Sequence, residues 1–212
     1  MNDYGWNDQV YIRSMGNHGK LGGLSRKAQE VGDLLAASGK DIIIFETVGV
    51  GQAEHDIISA ADLSVVVLVP ESGDEVQLMK AGLIEIADIF VINKSDREGA
   101  HRLASKLKNI LHYFTKKNMK EPEVFNTCAT TGEGIIQLYQ GIQNYLEIIM
   151  ENNIYENRRL ERYKNRIIEL VDNSIKKTFW TEEKNIFFEK VTNMSNTNLI
   201  SPEKIAKKMT SK

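Results

Sequence analysis

The residues best suited to chemistry are Asn93, Lys94 and Asp96, in "VINKSD" at 91–96. An apolar run ends there in an amide, an ammonium and a carboxylate. Asp96 can accept two hydrogen bonds from guanine, one from N1–H and one from the exocyclic amine. Adenine lacks that amine and presents an acceptor at N1, so it would leave a buried carboxylate unpaired. The Lys94 stem can lie over the base, and Asn93 can tie the loop to its neighbours. A second apolar run ends in "NTCATTGEG" (126–134), where the backbone of Cys128, Ala129 and Thr130 can meet the guanine O6. A third ends in "IIIFETVGVGQ" (42–52), placing Glu46, Thr47, Val48, Gly49, Gly51 and Gln52 after it. A carboxylate at Glu46 can orient a Mg²⁺-bound water, and the glycines let backbone approach a γ-phosphate. Glu46 and Gln52 are therefore the candidate catalytic residues. In "VPESGDEVQLMKAG" (69–82), Gly73, Asp74, Glu75 and Lys80 form a charge-bearing loop beside the nucleotide, or else an acidic first helical turn that suits the macrodipole. Each of these stretches also has a plainer reading as an ordinary loop between a strand and a helix.

A base reader of this kind normally works with a phosphate cradle of the form G-x-x-x-x-G-K-[ST]. The 212 residues contain none. "GNHGKLGG" (16–23) and "SGKDII" (38–43) place Leu21 and Asp41 where the Mg²⁺-binding hydroxyl belongs.

The elements that must position these residues are legible as alternating runs. "VYIRS" (10–14), "DIIIFE" (41–46), "LSVVVLV" (63–69), "DIFVIN" (88–93) and "EVFNTC" (123–128) read as strands. Most are continuously apolar, as for strands buried on both faces of a parallel sheet. Helical stretches at 23–38, 74–85, 100–118 and 132–150 separate them, giving repeated βα units. In the first, Leu24, Ala28, Val31, Leu34 and Leu35 share a face. The fold class expected is α/β, a mostly parallel sheet flanked by helices. In such sheets ligands bind at the carboxyl ends of the strands, where all four candidate loops lie. After Asn153 the chain is charged and helical, with Leu160, Tyr163, Ile167, Leu170, Val171 and Ile175 in a stripe. That stripe either packs on the chain's own sheet or pairs with a second subunit. A short helix follows Ser201, with Pro202 in its first turn. The division expected is residues 1–150 as a nucleotide-binding part and 151–212 as a helical arm.

Composition narrows the classes. A net charge of −2 gives no electrostatic case for nucleic acid or anionic lipid, and no apolar run reaches membrane-spanning length. One cysteine excludes an intrachain disulfide and fits a reducing, cytoplasmic setting. Four scattered histidines and one cysteine form no zinc-ligand pattern.

Taken together, "YIRSMGNHGKLGGLSRKA", "ETVGVGQAE", "LVPESGDEVQLMKAGLIEIADIFVINKSDREGA" and "TCATTGEGI" resemble the methylmalonyl-CoA-mutase-associated GTPases, also called the MeaB or ArgK family. The resemblance covers residues 10–150. It implies a P-loop NTPase-like fold binding GTP or GDP with Mg²⁺, and a chaperone that gates cofactor loading of an adenosylcobalamin-dependent acyl-CoA mutase and protects the loaded enzyme. Adenosylcobalamin would belong to that partner, leaving no tightly bound organic cofactor here. Glu46 would hold Mg²⁺ through water within switch II (Glu46 to Gly51), and Asn93, Lys94 and Asp96 would read the base. Gly73, Asp74, Glu75 and Lys80 would couple nucleotide state to the mutase, and residues 151–212 would mediate homodimerisation. The family's first strand, P-loop and switch I have no counterpart in this sequence, so the chain is expected to start after switch I and to hydrolyse GTP poorly by itself. The alternatives are a non-catalytic interaction fragment of that family and a metallochaperone GTPase of the urease or hydrogenase type.

Overall fold

The computed structural model describes residue 4 and residues 7–15, 26–47, 60–72, 83–114, 121–193 and 201–211. They divide into two compact units, Met1–Arg159 and Leu160–Lys212.

The first unit is built on three parallel strands, β1 (Val65–Leu68), β2 (Ile89–Ile92) and β3 (Glu123–Asn126), in the order β1-β2-β3. Val65 pairs with Ile89, and Ile89 with Glu123, so the strands are in step and their carboxyl ends finish together. The central strand is buried along its whole length, which its "IFVI" composition requires. Helix α1 (Arg26–Ala37) precedes the sheet and α2 (Leu83–Ile86) leads into β2. Helix α3 (Ala100–Phe114) joins β2 to β3, and α4 (Ile135–Glu151) follows β3. Ala100, Ala104, Leu107 and Leu111 recur at helical spacing on α3 and meet Leu68, Phe90 and Ile92 in one buried cluster. Strand periodicity turns Phe125 to the opposite face, toward α4. There Gly141 is needed for close approach, because a Cβ would lie 2.2 Å from the Phe125 ring.

At the amino ends of the strands sits a partly buried polar clamp. Asp88 accepts from the Ser64 amide at 2.9 Å and from both Arg158 nitrogens, Nη2 at 2.8 Å and Nη1 at 3.2 Å. The Tyr145 hydroxyl donates to the same carboxylate, and Arg158 Nη1 also reaches the Asp62 carbonyl at 3.0 Å. This ties α4 and the start of α5 (Ile154–Phe179) to the sheet. Burial, reinforced by the hydrogen bond and charge of Asp88, pushes the Tyr145 hydroxyl from 10.0 up to about 12. The bond to Asp88 likewise raises the Arg158 pKa.

The second unit holds most of α5, then α6 (Glu182–Thr192) and α7 (Pro202–Thr210). Thr181 caps α6 by accepting from the Lys184 amide. Trp180 packs edge-on against Phe179 and Phe188 at 5.4 and 5.5 Å between ring centroids. No residue of α5 is buried, and its stripe from Leu160 to Ile175 is exposed.

Two expected strands are not formed. Residues 10–14 and 41–46 carry no ladder, and Ile42 and Ile44 are 71% and 84% exposed. Apolar composition gives a segment strand propensity, but a strand exists only where a neighbour completes its hydrogen bonds, and no described residue does so here. The helix expected at 23–38 spans Arg26–Ala37, and Leu34, assigned to its apolar face, is 68% exposed. Ser201 occupies the N-cap position of α7 without a side-chain cap, while Pro202 is in the first turn as expected. The helix expected at 74–85 lies mostly outside the described residues.

Candidate functional site

The site is assembled where the three strands end, and Asn93 is its hub. Its amide continues the sheet by donating to the Leu68 carbonyl at 2.8 Å. Its side-chain oxygen accepts from the Ala129 amide at 3.2 Å and from the buried Thr127 hydroxyl at 3.3 Å. The Ser95 amide donates to the Thr127 carbonyl at 2.9 Å, so three hydrogen bonds join the loops after β2 and β3. Sequence reasoning gave Asn93 this tying role, and the contacts show it.

Lys94 adopts the left-handed backbone region at φ 57°, uncommon for a residue with a Cβ. That conformation turns the chain sharply, and the Arg97 amide closes the turn on the Lys94 carbonyl at 3.0 Å. Asp96 sits inside this turn, exposed, and its carboxylate engages no described residue. An acceptor held on a closed turn without a partner is what a ligand with two adjacent donors requires.

The loop after β3 is equally constrained. The Cys128 amide donates to the Glu133 carbonyl at 2.9 Å, and the Thr131 and Gly132 amides return to the Cys128 carbonyl. The Cys128 thiol is buried 3.3 Å from the Thr130 hydroxyl. Of the three amides proposed to meet O6, those of Cys128 and Ala129 are thus engaged, and that of Thr130 donates to no described residue. Gly134 opens α4 at φ 74°, and a Cβ there would lie 2.0 Å from the Asn126 carbonyl oxygen. Only glycine lets this loop fold back against the end of β3.

Glu71 and its partner Arg97 were missed from sequence. Glu71, in the 3₁₀ turn Pro70–Ser72 after β1, contacts Lys94 Nζ at 3.8 Å and pairs with Arg97. The only signal for it was its position just after a buried strand. Glu46 and Thr47 are described, Glu46 as exposed at the end of the unpaired segment. Val48, Gly49, Gly51, Gln52, Gly73, Asp74, Glu75 and Lys80 lie outside the described residues. Among the described residues no cluster of three metal-ligating side chains occurs. Glu46 alone does not make a Mg²⁺ site, and phosphate oxygens would have to supply most of the ligands. No described helix is long and apolar enough to cross a membrane.

Comparison with known proteins decides the ancestry. The family model of the methylmalonyl Co-A mutase-associated GTPase MeaB matches residues 1–184. The chain belongs to this family. A provisionally assigned GTPase of Pyrococcus horikoshii is 42% identical over 74% of this chain and 51% of its own. The methylmalonic aciduria type A homolog of Mus musculus, named as mitochondrial, is 32% identical over 81% of this chain and 42% of its own. GTPase ArgK of Escherichia coli is 34% identical over 68% and 45%. The chain therefore spans about half the length of the curated relatives it matches. The crystal structure of an LAO/AO transport system kinase superposes with a TM-score of 0.66 at 21% identity, over 86% of this chain and 60% of that one, which shows a shared α/β fold.

Proposed function

We propose that this chain recognises guanine nucleotides and serves an adenosylcobalamin-dependent acyl-CoA mutase as a GTP-linked chaperone, gating cofactor loading and protecting the loaded enzyme. The observation that carries the nucleotide half is the Asn93 junction, which presents the unpartnered Asp96 carboxylate beside the loop of Cys128, Ala129 and Thr130. The partner half is supported by the name of the matching family and by the mouse relative named for methylmalonic aciduria. In this reading Glu46 meets Mg²⁺ through water, Gln52 assists in catalysis, and switch II runs from Glu46 to Gly51. Gly73, Asp74, Glu75 and Lys80 face the mutase. Residues 1–150 form the nucleotide-binding part, and 151–212 form an arm that pairs two copies, for which the exposed stripe of α5 is suited.

Base contacts do not replace a phosphate cradle, and these 212 residues contain no G-x-x-x-x-G-K-[ST]. The chain by itself accordingly binds weakly and turns over little. The second reading is a non-catalytic interaction module of the family.

Titration with GDP and ADP, followed by NMR shifts to reach millimolar affinities, tests the first reading. Guanine should bind at least about tenfold more tightly, and Asp96→Asn should erase the preference, since it replaces one acceptor with a donor facing guanine's N–H groups. Equal affinity for both bases would remove the nucleotide half and leave the interaction module. Retention of a purified mutase on the immobilised chain tests the partner separately.

A further inference from the structure

Lys94 and Arg97 stand two residues before and one residue after Asp96 in one tight turn. Both are cations on long, mobile stems, and either could fold onto the Asp96 carboxylate and occupy the acceptor that a guanine needs. Neither does. The Lys94 ammonium lies 3.8 Å from Glu71 Oε2, and the Arg97 guanidinium pairs with Glu71 Oε1. Glu71 comes from a different loop, the 3₁₀ turn that leaves β1, so it draws the two cations sideways across the strand ends. The carboxylate between them is left without a described partner.

We infer that Glu71 is a positioning residue for base recognition, which keeps Asp96 available by holding Lys94 and Arg97 away from it. This rests on the guanine reading proposed above. Glu71 also restrains the Lys94 ammonium at 3.8 Å, which reduces the side-chain freedom lost when a base stacks on the lysine stem.

The test uses the whole chain with GDP as probe. Glu71→Gln should weaken GDP binding about three- to fivefold, the scale of one exposed ion pair. Adding Arg97→Ala should return the affinity to within about twofold of the unaltered chain, because a competing cation is then gone. A simple packing role for Glu71 would not produce that rescue, and an unchanged melting temperature for Glu71→Gln separates the effect from unfolding. Glu71→Gln binding GDP as tightly as the unaltered chain overturns this inference alone, as does a loss that Arg97→Ala fails to restore. An unaltered chain that does not prefer GDP to ADP overturns the guanine reading, and this inference with it.

Discussion

The sheet ends in two carboxylates with opposite surroundings. At the amino ends Asp88 is 12% exposed and accepts from a backbone amide, a tyrosine hydroxyl and both terminal nitrogens of a guanidinium. At the carboxyl ends Glu71 is 45% exposed and meets two cations that are themselves about half exposed. The first arrangement satisfies a largely desolvated charge and holds α4 and the first turn of α5 to the strands, so its removal leaves partly buried partners stranded. The second costs little desolvation, is screened by salt and rearranges readily. A stable floor beneath an adjustable rim suits a molecule that must keep its strands aligned while its loops accept and release a ligand.

That contrast can be broken by substitution. Asp88→Ala should cost about 3 kcal/mol, near the low end for a broken buried pair because Arg158 retains some solvent, measured as a lower urea midpoint. A loss below about 1 kcal/mol would mean that the clamp is ornamental. Gly134→Ala at the opposite end should cost about 2 kcal/mol or more, since it combines a positive φ with a backbone clash. It should also disturb amide signals of the Cys128 loop before those of β2. Tyr145 gives a pH signature. Its folded pKa, about 12, is above the unfolded value of 10.0, so the folded state holds the proton more tightly. The contribution is complete below pH 10 and is lost as the pH rises from 10 toward about 12. Urea midpoints should therefore fall across that window, and less steeply in Tyr145→Phe. Last and smallest, Glu71→Gln should alter stability by less than about 0.5 kcal/mol; a loss comparable to Asp88→Ala would erase the distinction between the two ends.

Much of this was legible in the residues. β1, β2 and β3 appear within the apolar runs expected of them, and β2, the one of the three buried along its whole length, has the unbroken apolar sequence that covering on both faces requires. α3 and α4 fall within the helical stretches expected at 100–118 and 132–150, apart from Glu151 at the end of α4. Asn93 could be assigned its tying role because an amide at a strand end has few other uses. The segments at 10–14 and 41–46 were misread for the complementary reason: composition signals the wish to pair, and pairing depends on a neighbour. Glu71 escaped notice because a contact between loops separated by two dozen residues leaves no periodic trace. Helix α6 could have been read from Thr181 followed by two acidic residues, the usual chemistry of a helix start.

Cys128 has a practical consequence. It is the chain's one thiol, and it lies buried inside the loop that would face the base. A thiol-directed reagent can therefore modify the chain only when that loop opens. The labelling rate becomes a clock for one local opening, with no background from other cysteines. Any ligand that braces the loop should slow that clock whether or not it is ever hydrolysed, so occupancy of this site can be followed by chemistry that needs no turnover.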